Sequence, residues 1–132
     1  MTDTPNRPHL LIIEDDKTLS LVLQRKFSDE NFKVSLATTG EEALAAVKGE
    51  NKPDLALLDI LLPGLDGFEV LKRIKEDPAT KDIRVIILSN LGQKEEVERG
   101  IKLGAEKYMV KLSHSLNEVV AVVRSVWQGK HP

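Results

Sequence analysis

Leu10-Leu11-Ile12-Ile13-Glu14-Asp15-Asp16 is a short apolar run that stops on three acids, and its reading decides the fold. Three further runs stop in the same way. Asp54-Leu55-Ala56-Leu57-Leu58 ends at Asp59, Val85-Ile86-Ile87-Leu88 at Ser89, and Tyr108-Met109-Val110 at Lys111. A fifth run, Val34 to Ala37, ends in the plain turn Thr38-Thr39-Gly40. The runs are continuous and rich in Leu or β-branched residues rather than alternating, which is the pattern of strands covered on both faces. Segments of helical period separate them, so the chain reads as βα units around a parallel sheet.

The helical segments carry their own signals. Leu19, Val22, Leu23 and Phe27 fall on one face after Asp16. Thr39-Gly40-Glu41-Glu42 is a capping box opening a second helix, with Leu44 and Val47 inward. Asp66-Gly67-Phe68-Glu69 caps a third, which carries Phe68, Leu71 and Ile74 and stops at Asp77-Pro78. A fourth spans about Lys94 to Leu103, and Gly104 stands where a left-handed C-terminal residue is wanted. A fifth spans about Leu116 to Trp127. The expectation is a doubly wound α/β fold, a five-stranded parallel sheet and five helices in a three-layer sandwich.

The 132 residues suit one domain with a sizeable core. The expected organisation is a disordered lead-in over 1–8, a folded unit over 9–128 and a short tail over 129–132, with no room for an output domain after the last helix. Apolar stretches of four or five residues exclude a membrane-spanning helix. No cysteine is present, which excludes disulfides and fits a reducing, cytoplasmic compartment. A net charge of −2 and 4% aromatic residues argue against a nucleic-acid-binding surface.

In an open parallel sheet, ligands bind outside the carboxyl ends of the strands. Glu14, Asp15, Asp59, Ser89 and Lys111 would meet there. Clustered carboxylates repel unless a cation sits among them. Mg²⁺ suits oxygen ligands and needs only one or two carboxylates plus a phosphate. Asp59 is then a candidate nucleophile that forms an acyl phosphate, Lys111 a point charge for the phosphoryl group, and Ser89 a hydrogen-bond donor to it. In Leu61-Leu62-Pro63-Gly64-Leu65-Asp66-Gly67, the backbone carbonyl of Leu61 could complete the metal shell. Surface acids, an Asp59–Lys111 ion pair and a turn hydroxyl are the plain alternatives for each residue alone.

From about Leu10 to Val126 the chain resembles the receiver domain of two-component response regulators. The motifs that carry the likeness are Ile12-Ile13-Glu14-Asp15-Asp16 and Leu58-Asp59-Ile60-Leu61-Leu62-Pro63-Gly64-Leu65-Asp66-Gly67, with Ser89 and Lys111 at the family's spacing. The resemblance implies a CheY-like fold of strand order 2-1-3-4-5. It makes Asp59 the phospho-acceptor, supplied by a sensor histidine kinase or histidine phosphotransfer protein. Asp15 and Asp59 would bind Mg²⁺ directly, Glu14 through water, and Leu61 through its carbonyl. Ser89 would turn toward the phosphoryl group and Lys111 would pair with it. Tyr108 matches the switch aromatic, its alternative being an edge-strand aromatic that covers apolar surface.

Two positions depart from the family pattern. Leu112 follows Lys111 where proline is usual, so the 111–112 bond should be trans. Asn90 follows Ser89 where a very small residue is usual. Leu61 and Leu91, two residues past Asp59 and Ser89, cannot hydrogen-bond an attacking water, which implies a long-lived acyl phosphate.

Phosphorylation adds about −1.5 to −2 charge, and Ser89 and Lys111 would be the contacts that differ between two conformations. The face made by helix four, strand five and helix five is the expected output surface toward a downstream protein. On helix five, Leu116, Val119, Val120, Val123 and Trp127 form the core stripe. Val122 and Val126 read as a second face, either a partner or phosphorylation-dependent homodimer contact or the stripe's partly buried edge. His9, His114 and His131 are expected to be solvated.

Two other functions compete. A Mg²⁺-dependent phosphohydrolase with an aspartate nucleophile, similar to haloacid-dehalogenase-type phosphatases, wants a second Asp where Leu61 stands. A flavodoxin-like cofactor binder wants a hydroxyl- and glycine-rich loop where Glu14-Asp15-Asp16 stands.

Overall fold

The computed structural model describes residues 7–130. The strands are β1 (His9–Ile13), β2 (Lys33–Ala37), β3 (Leu55–Leu58), β4 (Arg84–Ser89) and β5 (Lys107–Val110). The helices are α1 (Lys17–Asp29), α2 (Gly40–Lys48), α3 (Gly67–Glu76), α4 (Lys94–Lys102) and α5 (Leu116–Lys130). All strand pairings are parallel, in the order β2-β1-β3-β4-β5. This is the expected doubly wound architecture.

The sheet separates two cores because successive strand residues point to opposite faces. Leu11, Ile13, Ala56, Leu58, Val85 and Ile87 pack with α2 and α3 on one side. Leu10, Ile12, Leu55, Leu57, Ile86 and Leu88 pack with α1 and α5 on the other. Every residue of β1 and β3 is buried, which explains why these strands lack a polar alternation.

Helix ends follow local chemistry. Asp16, Thr39 and Asp66 cap α1, α2 and α3 by accepting the backbone N–H of Leu19, Glu42 and Glu69. The box at α2 reaches one residue further back: Glu42 Oε1 accepts from Thr38 N at 2.7 Å and from Thr38 Oγ1 at 2.9 Å. Ser115 and Glu118 form a reciprocal box at α5. Gly104 takes φ +117° just past α4, as its position implied.

Four expectations are corrected. Pro8 is buried and its carbonyl accepts the Lys33 N–H at 2.9 Å, so this residue of the expected lead-in belongs to the folded unit; residues 1–6 lie outside the described region. α5 continues to Lys130, two residues into the expected tail, and 131–132 lie outside the described region. His9 is buried, with Nε2 2.7 Å from Ser35 Oγ. Burial, joined by the Lys33 charge, lowers its pKa.

The fourth correction concerns the two valines of α5. Val126 is a core residue at 7% exposure, and Val122 is half-buried against the same core. At about 100° per residue, Val126 lies about 60° from Val123, as far to one side as Val120 lies to the other. It belongs to the stripe and presents no second face. Leu116 shares the stripe's direction but starts the helix beyond the core, and is 37% exposed. No helix among the described residues is long and apolar enough to cross a membrane.

Candidate functional site

The strand register delivers the site. Ile13 pairs with Leu58 and Leu58 with Ile87, so Glu14 and Asp59 leave neighbouring strands at the same level. Ser89 pairs with Val110, which places Lys111 beside them one residue on. The Glu14 N–H donates to the Ala37 carbonyl and the Asp59 N–H to the Ile13 carbonyl, each at 3.0 Å. These bonds extend the ladders by one residue and hold both carboxylates at the sheet's edge.

Lys111 ties them together. Its Nζ lies 2.8 Å from Asp59 Oδ2 and 2.8 Å from Glu14 Oε1. The two carboxylate side chains are 4% exposed, and the lysine side chain 16%. Each acid's other oxygen is held by a backbone donor: Asp16 N–H on Glu14 Oε2 at 3.1 Å, and Leu61 N–H on Asp59 Oδ1 at 3.0 Å. Burial raises the Glu14 pKa against the opposing hydrogen bond from Lys111. Burial works against the Lys111 charge too, but the hydrogen bonds from Asp59 and Glu14 outweigh it and raise that pKa.

Asp15 is exposed and completes the acidic cluster. One carboxylate oxygen from each of Glu14, Asp15 and Asp59 lies within 4.8 Å of the others. Hard, anionic oxygen donors gathered this closely fit a small divalent cation and leave positions open for water and phosphate.

The surrounding loops support this edge. Gly67 lets α3 start against the backbone of Asp59, since a Cβ there would lie 2.5 Å from the Asp59 carbonyl oxygen. Ser89 is fully buried, and its Oγ accepts the Leu91 N–H at 3.3 Å. Tyr108 is half-buried, and its hydroxyl donates to the Leu91 carbonyl. Burial raises its pKa, with smaller contributions from the Glu96 and Asp59 charges. Leu61 exposes half of its side chain, and Asn90 is exposed.

Lys111–Ser113 forms a 3₁₀ turn after β5, with Leu112 91% exposed. No cis peptide occurs among the described residues, so the 111–112 bond is trans. The structure thus gathers Glu14, Asp15, Asp59 and Lys111 directly, with Ser89 and Tyr108 joined through the Leu91 backbone. The Asp16 and Leu61 backbone donors were missed in the sequence, because an amide N–H leaves no residue-type signal.

A family model for the response regulator receiver domain matches residues 10–124. The chain belongs to that family. It is 34% identical over 125 residues to the phosphate regulon transcriptional regulatory protein PhoB of Rhizobium meliloti, covering 95% of this chain and 54% of that protein. It is 38% identical over 104 residues to the transcriptional regulatory protein AfsQ1 of Streptomyces coelicolor, covering 79% of this chain and 44% of that protein. The chain thus spans about half the length of these relatives.

Among solved structures, a putative response regulator from Chloroflexus aurantiacus superposes with a TM-score of 0.85 at 32% identity, covering 92% of this chain and 98% of that one. The Mn²⁺-bound form of response regulator Rcp1 superposes at 0.77 and 29% identity, covering 90% and 91%. Receiver domains are phosphorylation-dependent signalling units, and the family binds Mg²⁺ through acidic residues.

Proposed function

We propose that this receiver domain takes a phosphoryl group on Asp59 from the phosphohistidine of a sensor histidine kinase or histidine phosphotransfer protein. A carboxylate oxygen of Asp59 would form the new P–O bond as the P–N bond breaks, with the electron pair leaving on the histidine nitrogen. The observation that carries this reading is the Lys111 ammonium, 2.8 Å from Asp59 and from Glu14 at a shielded edge with Asp15 alongside. An ammonium already paired with two carboxylates can take on phosphoryl charge by shifting over a short distance.

Glu14, Asp15, Asp59 and the Leu61 carbonyl would hold Mg²⁺, which neutralises charge on the phosphoryl oxygens when bound. Ser89 would leave the Leu91 N–H to donate to a phosphoryl oxygen. That exchange would disturb the loop onto which Tyr108 is bonded, and so reach α4 and β5. The output surface in this reading is α4, β5 and α5, where Ile101 is 46% exposed. Val126 plays no part in it, being in the core.

The chain would turn over no metabolite. Leu61 stands where an aspartate-nucleophile phosphohydrolase would place its general acid, so nothing favours that alternative. The reading includes protein partners rather than nucleic acid, supported by the net charge of −2, and a cytoplasmic setting, supported by the absence of cysteine. The test is incubation with acetyl phosphate and Mg²⁺ followed by intact-mass measurement. One added phosphoryl group is expected, dependent on Mg²⁺ and absent in Asp59→Asn. Equal labelling of that variant would overturn the assignment.

A further inference from the structure

Helix α4 carries a glycine in its interior, where glycine costs about 0.5–1 kcal/mol relative to alanine. Gly100 is the buried residue of that helix, and the space above it is filled. A Cβ built there would lie 2.9 Å from Tyr108 Cδ2, 3.2 Å from Tyr108 Cε2 and 2.7 Å from Ile87 Cδ1. The tyrosine ring therefore rests directly on the backbone of α4. In the same position its hydroxyl reaches the Leu91 carbonyl, at the loop that leaves Ser89. Gly100 makes no hydrogen bond to the phosphorylation site, and the sequence offers no motif that singles it out.

We propose that Gly100 is a positioning residue for Tyr108: its bare backbone is the seat that lets the ring lie inward with the hydroxyl on Leu91. This rests on Tyr108 being the moving aromatic of the switch. A methyl group at 100 meets two neighbours. Ile87 is fully buried, and the atom it presents is the flexible end of its side chain. The Tyr108 ring is rigid but half-buried, and it can swing toward solvent. The ring is the neighbour that yields. Gly100→Ala should then hold Tyr108 outward, break its bond to the Leu91 carbonyl and uncouple α4 from the phosphoryl site, while leaving Glu14, Asp15, Asp59 and Lys111 in place.

The chain contains a single tyrosine, which makes a direct test possible. Protein labelled with 3-fluorotyrosine should give the ¹⁹F signal of this one residue. Comparing its shift in H₂O and D₂O reports whether the ring is covered. In the wild type the signal should show a small solvent isotope shift. In Gly100→Ala it should move and show the full shift of an exposed tyrosine, with Mg²⁺-dependent phosphorylation of Asp59 retained by intact mass. If Gly100→Ala keeps the covered wild-type signal, the seat does not exist and the proposal is wrong.

Should Gly100→Ala fail to fold by circular dichroism, Ile87→Val in the same chain removes the Cδ1 contact and leaves the ring as the remaining clash; the same two outcomes then decide. The switch reading is separable. A wild-type signal unmoved by phosphorylation, together with displacement in Gly100→Ala, would remove Tyr108 as the switch while upholding Gly100 as its seat.

Discussion

Lys111→Met would keep the apolar stem and delete the ammonium that lies 2.8 Å from Asp59 and 2.8 Å from Glu14. Breaking a buried ion pair by removing one partner costs about 3–5 kcal/mol, because the remaining charge stays uncompensated. Several features place this site at the low end. The lysine side chain is 16% exposed, and each acid keeps one backbone donor. Glu14, its pKa already raised by burial, can also take up a proton.

A loss of about 3 kcal/mol follows without divalent cation, or about 1.5 M in urea midpoint for a slope near 2 kcal/mol per M. A cation among the same acids replaces the missing positive charge, so saturating Mg²⁺ should restore about 2 kcal/mol of stability beyond what the wild type gains. By linkage the variant should then bind Mg²⁺ about 30-fold more tightly than the wild type. Urea unfolding in EDTA and in Mg²⁺, with calorimetric Mg²⁺ titration, measures both effects. A loss below about 1 kcal/mol in EDTA together with an unchanged Mg²⁺ affinity would refute the idea that Lys111 compensates these carboxylates.

Other outcomes follow from the same structure. Val126→Ala removes two buried methyl groups and should cost about 2 kcal/mol in urea unfolding, with no change in solution mass; lost association at unchanged stability would restore the interface reading. His9 has a pKa below its ordinary 6.5, so the folded protein resists its protonation. Its contribution to stability is complete above about pH 6.5 and is lost as pH falls through the lower folded value. Unfolding free energy should therefore decline from pH 7 toward 5, and His9→Gln should flatten that slope; a wild type with no slope there contradicts the burial argument. The acyl phosphate should persist for far longer than seconds at neutral pH. Leu61→Asn or Leu91→Glu should shorten it about tenfold or more by holding water, as followed by decay of the phosphorylated mass.

Much of the site was legible from pattern alone. Glu14, Asp15, Asp59 and Lys111 each follow an apolar run, and parallel strands that end at one edge must bring such residues together. The valines of α5 show where that logic stopped. Val126 sits at the same angle from Val123 as Val120, yet its place in the core depended on how far α5 extends over the sheet. Leu116 points the right way but lies beyond the core's end. His9 was misjudged because one residue of extra strand carried it against Ser35.

What the sequence determined by itself was the order of strands and helices, their caps and the chemistry offered at each strand's end, since these depend on neighbours a few residues away. Only the tertiary structure decided that Lys111 bridges two carboxylates, that Asp16 and Leu61 hold those acids by their backbone, and that Tyr108 rests on Gly100. Those contacts join segments up to 97 residues apart in the chain (Glu14 to Lys111). Their geometry is set by strand register and helix placement, which no local spacing encodes.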